Sequence, residues 1–141
     1  MQFKSIVIGC GRVGFSYNLD NKRKGIYSHI EMYKRSLSIS SLCAVDPSEK
    51  NLLLVKDKHP DIKCYQDLDA ALENDTYDIA SVCTPSDIRI SVIYKLVNSG
   101  VKAIFCEKPI ALSLSEAETI KDICKKNKVH LAINHYRRWD K

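Results

Sequence analysis

The sequence lacks the features that mark several classes of protein. Its 141 residues contain no apolar run of the roughly 18–20 residues that a membrane span needs. The first residues do not have the layout of a signal peptide. The six cysteines lie far apart and form no Cys-x-x-Cys pair, so no metal site is expected. We therefore expect a cytoplasmic chain without a membrane partner, whose cysteines are small buried side chains in a reducing compartment.

No long stretch of one charge sign is present either. The chain has 22 Lys and Arg against 17 Asp and Glu, a net charge of +5. Its basic clusters, such as 22–24 and 125–126, are short, and acidic residues interrupt the sequence between them. This pattern is typical of a solvated surface and not of a nucleic-acid site. Hydrophobic residues (45%) and charged residues (28%) are balanced as in globular proteins, which excludes a disordered or collagen-like chain.

What the sequence does contain is an alternation of short apolar runs and longer amphipathic segments. The apolar runs predict strands over 3–8, 41–45, 62–65, 77–83, 103–106 and 129–133. The amphipathic segments predict helices over 49–58, 67–73, 86–99 and 113–127. The strands have continuous apolar character rather than a strict alternation of apolar and polar residues, which is typical of strands covered on both faces. The predicted fold class is α/β, a doubly wound parallel sheet of about six strands with helices on both faces.

A glycine motif follows the first predicted strand. Its residues are Gly9, Cys10, Gly11, Arg12, Val13 and Gly14, in the spacing Gly-x-Gly-x-x-Gly, and it is predicted to open a helix. Gly9 permits a tight turn, Gly11 lets a pyrophosphate approach the backbone, and Gly14 lets helix and strand pack closely. Helix N-termini also attract phosphate. The six residues are thus predicted to bind a dinucleotide in a Rossmann fold; the alternative is a glycine-rich turn without a ligand.

Asp46 ends the second predicted strand and completes this fingerprint. A carboxylate at this place accepts hydrogen bonds from the adenosine ribose and repels a 2′-phosphate, so NAD is expected to bind better than NADP. The acid usually follows the glycines by about 20 residues. Here the distance is longer, and an exposed loop over 18–28 accounts for the surplus. The alternative is a turn aspartate ahead of Pro47.

Two further motifs carry a resemblance to a known family. Cys83-Thr84-Pro85-Ser86 and Cys106-Glu107-Lys108-Pro109 each lie at a predicted strand end. With the glycine motif, they resemble the N-terminal domain of the Gfo/Idh/MocA family over essentially the whole chain. The resemblance implies a Rossmann domain over 1–134 that holds NAD or NADP. It also implies that 135–141 begins a crossover to a second domain, absent from this chain, that binds a sugar-like substrate.

The resemblance assigns roles to several residues. It implies that Thr84 and Pro85 line the middle of the cofactor, and that Glu107 and Lys108 lie near the nicotinamide and the substrate. The Lys108 ammonium is the candidate catalytic group, since it could orient a substrate hydroxyl and stabilise negative charge on its oxygen. The Lys108–Pro109 bond is expected to be cis, as the family resemblance suggests and as proline tolerates.

The chain departs from the family pattern in two ways. Arg89 stands where many members carry a histidine after Thr-Pro, and the Asp/His pair of the second domain has no counterpart. We therefore predict that the chain is the cofactor half of a sugar or cyclitol dehydrogenase, which transfers hydride between a substrate carbon and nicotinamide. The chain by itself is predicted to bind a dinucleotide but not to turn over a substrate. An uncovered apolar surface around Trp139 and the sixth strand is expected to favour a homo-oligomer or binding to a partner that carries the other half. His29, Tyr33 and His135 receive no role.

Two other functions stay open from the sequence. One is a free-standing NAD-binding module, a sensor or a partner subunit without chemistry of its own. The other is a Rossmann domain for S-adenosylmethionine, against which the Glu-Lys-Pro element argues.

Overall fold

The computed structural model describes residues 2–22 and 24–135, which form one parallel sheet with helices on both faces. The strands are β1 (Phe3–Ile8), β2 (Ile39–Val45), β3 (Lys63–Tyr65), β4 (Ile79–Val82), β5 (Ala103–Glu107) and β6 (His130–Asn134). The α-helices are α1 (His29–Arg35), α2 (Glu49–Lys58), α3 (Leu68–Asn74), α4 (Arg89–Asn98) and α5 (Leu114–Lys126), and short 3-10 helices cover Ser16–Leu19 and Ser86–Ile88. The strand order is β3-β2-β1-β4-β5-β6, with all neighbours parallel. The predicted fold class is confirmed.

Each face of the sheet has its own apolar core. On one face, α1 and α2 pack residues such as Ile30 and Val55 against Val7 of β1. On the other face, α4 and α5 pack residues such as Leu96 and Ile120 against the sheet. Side chains buried this completely each stabilise the fold by about 1.5–3 kcal/mol. Burial on both faces explains the continuous apolar runs at 6–8 of β1 and 42–45 of β2.

The strand order changes direction at β1, and this places the functional site. β1 lies between β2 and β4, so the loops that leave β1 and β4 go to opposite faces of the sheet. A crevice at the carboxyl ends of the strands results, which is where sheets of this type bind their ligands. Backbone hydrogen bonds extend the pairing up to this crevice, from Gly9 N–H to Val45 O (2.8 Å) and from Cys83 N–H to Ile8 O (2.8 Å).

The glycine motif is followed by helical turns and then by a loop, as predicted, but the helix after the loop, α1, was not predicted. The motif forms a helical turn, in which Phe15 N–H donates to Gly11 O at 2.9 Å, and the chain then continues through the 3-10 helix Ser16–Leu19 into a loop. It returns at α1, where His29 N–H donates to Val13 O and Ile30 N–H to Gly14 O, both at 3.0 Å. The helix is therefore interrupted, and α1 satisfies carbonyls that the next helical turn would otherwise have used.

The interruption is the loop that the sequence predicted over 18–28. The Asn18 side chain fastens it, because its Nδ2 donates to Gly25 O (2.8 Å) and its Oδ1 accepts from Tyr27 N–H (2.9 Å). The loop explains why Asp46 lies farther along the chain than usual. Other differences are confined to element ends: β2 begins at Ile39, and the predicted helix over 86–99 begins with a 3-10 turn. In the part of the chain that is described, no helix is long and apolar enough to cross a membrane.

Candidate functional site

Two cavities open at the carboxyl edge of the sheet, one on each side of the glycine turn. The first, here called the Asp46 cavity, has a volume of about 560 Å³, and its lining includes Gly9, Gly11, Asp46, Thr84 and Pro85. The second, the Lys108 cavity, has a volume of about 710 Å³, and its lining includes Val13, His29, Glu107, Lys108 and Asn134. The two cavities together are lined by the sequence-predicted residues other than Cys10, Arg12 and Gly14.

The structure gives a different reason for glycine at each of three positions in the turn. Gly9 has a φ of +92°, and a Cβ there would lie 2.8 Å from the Cys83 carbonyl group. A Cβ on Gly14 would lie 1.8 Å from the Gly9 carbonyl oxygen. A Cβ on Gly11 would meet nothing within 4 Å. Packing therefore excludes side chains at Gly9 and Gly14, whereas Gly11 faces open space.

The other motif residues do not line a cavity in the same way. The Cys10 side chain is 1% exposed and points into the core, and burial raises the pKa of its thiol far above the ordinary value. The Arg12 residue is exposed, and Val13 lines the Lys108 cavity. The six residues predicted together are thus divided between the core, the surface and the two cavities.

Asp46 joins the end of β2 to the glycine turn. Its Oδ2 accepts from Cys10 N–H at 2.7 Å, and its Oδ1 accepts from Ser48 N–H at 2.8 Å and from the Asn51 side chain at 3.1 Å. The residue is 6% exposed and lines the Asp46 cavity. Asp46 therefore has a turn-forming role, and since a carboxylate has about four acceptor positions, it keeps capacity for a ligand. The ribose contact stays a prediction.

Arg89 ties the loops after β4 and β5 together. It is 4% exposed, and its guanidinium donates to Thr84 O at 2.6 Å and to Pro109 O. The Lys108–Pro109 peptide bond is cis, as predicted. The sequence marked Arg89 only as a departure from the family pattern. Its position one turn after Thr84-Pro85 was the available signal, since a buried arginine there must find carbonyl or carboxylate partners.

Glu107 is the centre of a buried polar network that the sequence did not predict. Its Oε1 accepts from His29 Nε2 at 3.1 Å and from Asn134 Nδ2 at 2.5 Å. Burial raises the pKa of Glu107, but the hydrogen bonds from His29 and Asn134 outweigh that effect, so the pKa lies below its ordinary value. Glu107 is therefore an ionised carboxylate at neutral pH, next to the exposed Lys108 at the cavity.

The network continues into the protein interior. His29 Nδ1 lies 2.8 Å from Ser81 Oγ, and Ser81 Oγ lies 2.9 Å from the Tyr33 hydroxyl. Ser81 is fully buried in β4. A serine within an otherwise apolar strand was the one signal in the sequence, because a buried hydroxyl requires a partner.

Comparison with known proteins identifies the domain. Residues 3–135 match the profile of the Gfo/Idh/MocA oxidoreductase family, described as having an NAD-binding Rossmann fold. The chain belongs to this family. It is 25% identical over 141 residues to an uncharacterized oxidoreductase of Schizosaccharomyces pombe, a match that covers 97% of this chain. It is also 25% identical over 138 residues to the rhizopine catabolism protein MocA of Rhizobium meliloti, with 98% of this chain covered.

A solved structure shows the same fold. An oxidoreductase from Agrobacterium radiobacter, crystallised with NAD+, L-tartaric acid and magnesium, superposes with a TM-score of 0.81 at 23% identity over 99% of this chain. That chain is longer, and the match covers 37% of it. The chain likewise spans only 34% of the yeast relative and 39% of MocA. The described residues therefore correspond to the NAD-binding Rossmann domain of the Gfo/Idh/MocA family.

The Gfo/Idh/MocA domain holds its thiols in a neutral form. Burial raises the pKa of Cys83 well above its ordinary value and raises that of Cys106 to about 11. A neutral, buried thiol is a poor nucleophile. Among the residues that are described, no group of three or more His, Cys, Asp and Glu side chains is arranged to hold a metal ion. The charged groups left at the cavities are those of Asp46, Glu107 and Lys108.

Proposed function

We propose that the chain is the cofactor half of a dehydrogenase that moves a hydride between nicotinamide and a carbon of a sugar or cyclitol. In this proposal, the adenosine end of NAD occupies the Asp46 cavity and the nicotinamide end occupies the Lys108 cavity. One observation carries it: within the glycine turn, Gly11 lines the first cavity and Val13 the second. A dinucleotide has its pyrophosphate between its two nucleosides, so the turn lies where that group belongs.

The residues present fit such a cofactor. A Cβ at Gly11 would fill open space, so glycine there leaves room for a phosphate to approach the backbone. The first N–H groups of the helical turn lack intrahelical acceptors and suit an anion. In the described part of the chain, the buried Thr84 Oγ1 has no hydrogen-bond partner. An unpaired buried hydroxyl is costly, and a cofactor atom in the Asp46 cavity would supply the missing partner.

The chemistry divides between the cofactor and the chain. When bound, nicotinamide accepts or supplies the hydride. The Lys108 ammonium holds the substrate oxygen and stabilises negative charge that develops there. The neighbouring Glu107 carboxylate balances the charge at this end of the cavity. Asp46 favours NAD over NADP because a 2′-phosphate would face its carboxylate.

The substrate-binding part lies outside the described residues. β6 pairs only with β5 within the described sheet, and His130, Ala132 and Ile133 are exposed along it. Such a strand fits a domain boundary near 134, with the crossover over 135–141 leading to a second domain that carries the proton-transfer pair. Most of that segment, including Trp139, falls outside the described residues.

The exposed strand β6 is also the surface that we propose for self-association. The free cysteines fit a cytoplasmic location.

The test is calorimetric titration of the 141-residue chain with NAD, NADP and S-adenosylmethionine side by side. We expect NAD to bind most tightly. In Asp46→Asn, which keeps the side-chain shape, the preference for NAD over NADP narrows. Asp57→Asn, a substitution on the exposed face of α2, is the matched control and leaves all three affinities unchanged. Tighter binding of S-adenosylmethionine, or equal affinity for NAD and NADP, would contradict the assignment.

A further inference from the structure

We infer that His29 is a positioning residue for the Lys108 cavity, acting as the neutral tautomer with its proton on Nε2 and holding the Glu107 carboxylate in place. The inference about the histidine rests on the hydrogen-bond network alone. Its consequence for the cofactor rests on the proposed function as well. Neither the sequence motifs nor the comparison with the family assigns a role to this residue.

The Glu107 side of the network fixes one of the two ring nitrogens. Glu107 is 7% exposed, and an ionised carboxylate can only accept hydrogen bonds. His29 Nε2 lies 3.1 Å from Glu107 Oε1, so the contact requires a proton on Nε2. Asn134 Nδ2 donates to the same oxygen from β6. The carboxylate is thus held between the beginning of α1 and the end of the edge strand.

The Ser81 side of the network fixes the other ring nitrogen by proton counting. Ser81 and Tyr33 are buried and contribute one hydroxyl proton each. With Nδ1 unprotonated, Tyr33 donates to Ser81 Oγ and Ser81 donates to His29 Nδ1, so each proton has an acceptor. With Nδ1 protonated, His29 donates to Ser81 Oγ, and the hydroxyl protons of Ser81 and Tyr33 then have only one acceptor between them within the network. A buried donor without an acceptor is unfavourable, so the hydrogen bonds run from Tyr33 through Ser81 and His29 to Glu107.

The backbone of His29 connects this network to the glycine turn. Its N–H donates to Val13 O at 3.0 Å, at the point where α1 resumes after the inserted loop. Its ring also packs against Phe105 of β5, with centroids 5.0 Å apart. One residue therefore joins the glycine turn, β4 and β5 on the wall of the Lys108 cavity. Loss of the Nε2 donor releases one of the two side chains that hold Glu107, and Lys108 is the next residue in the chain.

The first experiment is ¹⁵N NMR of the histidine side chains in the intact chain at neutral pH, without any ligand. We expect the His29 ring to show a protonated Nε2 and an unprotonated Nδ1. His130, exposed on β6, serves as the solvent-exposed reference, with a mixture of tautomers. A protonated Nδ1 on His29 would overturn the inference. This readout does not depend on NAD, so it stands even if the proposed function fails.

The second experiment compares His29→Gln, which keeps a donor, with His29→Leu, which has none, and His130→Gln as the matched control. We expect His29→Leu to weaken NADH binding about fivefold, the size of effect that a residue outside direct contact exerts, and to raise the pKa of Glu107 measured by ¹³C NMR. We expect His29→Gln to keep the NADH affinity and the Glu107 pKa close to those of the wild type, and His130→Gln to leave both quantities unchanged. Should His29→Leu not fold, His29→Met, which also has no donor, is used instead with the same two expectations. An unchanged Glu107 pKa in the variant without a donor would show that His29 does not position Glu107.

Discussion

Alanine at Gly14 and at Gly11 should separate the packing role of the glycine turn from its ligand role. At Gly14, a methyl group would lie 1.8 Å from the Gly9 oxygen, 2.9 Å from the Gly9 carbonyl carbon and 3.1 Å from Cys10 Cα. These are backbone atoms, and Gly9 is itself held by its hydrogen bond to Val45 O. Inserting a methylene into a packed site costs about 1–3 kcal/mol when side chains can move. Because the backbone must move here, we expect at least the upper value.

The expected effect on stability is large for Gly14→Ala and small for Gly11→Ala. A loss of about 3 kcal/mol is a substantial part of the 5–15 kcal/mol that typically stabilises a domain, and it lowers Tm by roughly 10 °C for a chain of this size. At Gly11, no atom lies within 4 Å of the added methyl group. Gly11→Ala should therefore stay within about 0.5 kcal/mol of the wild type. Its methyl group occupies the space proposed for the pyrophosphate, so NAD affinity falls.

Thermal unfolding followed by circular dichroism, together with calorimetric titration of NAD, measures both effects. The reasoning about packing is refuted if Gly14→Ala unfolds at the wild-type temperature. The reasoning about the ligand is refuted if Gly11→Ala is as stable as the wild type and still binds NAD with unchanged affinity. A Gly11→Ala chain with a Tm well below that of the wild type would show that the added methyl group does meet other atoms.

Three other predictions follow from the site. Arg89→Met should lower the free energy of unfolding by roughly 2–4 kcal/mol, because the carbonyls of Thr84 and Pro109 lose a charged donor; urea unfolding measures this, and an unchanged midpoint would contradict it. The pKa of Glu107 is lowered in the folded chain. The stability that the ionised Glu107 contributes is therefore complete above the unfolded pKa of about 4.3 and is lost as pH falls through the folded pKa. Glu107→Gln should make the free energy of unfolding less dependent on pH in that acidic range, and an unaltered pH profile would contradict this prediction. The 141-residue chain should bind NAD but form no NADH from inositol, glucose or UDP-sugars across a range of pH, and sustained turnover would mean that it needs no second domain.

The features that sequence could predict are those set by neighbouring residues. Strands of continuous apolar character and helices with apolar stripes follow from local patterns, and each appears near its predicted bounds. The close packing of Gly14 and the cis bond before Pro109 also belong to short motifs. The loop over 18–28 was recognisable because polar and glycine residues interrupt the alternation.

The features that sequence missed depend on contacts between distant residues. His29 and Glu107 are 78 positions apart, and neither position alone indicates the other. Helix α1 was not predicted, because local spacing does not show that a helix on the far side of the loop supplies donors to the carbonyls of Val13 and Gly14. The sequence showed Arg89 only as a departure from a motif, because the two loop carbonyls that it contacts come together only in the folded chain.

The central claim is that one dinucleotide spans both cavities across the glycine turn, and backbone NMR of the ¹⁵N-labelled chain during NAD titration tests it most directly. The account predicts shifts at Gly11 in the turn, at Thr84 in the Asp46 cavity and at Lys108 in the other cavity, all with one saturation curve. The same account predicts no shift on the outer face of α5, for example at Lys121. Shifts confined to one cavity, or saturation at different NAD concentrations for the two cavities, would contradict it.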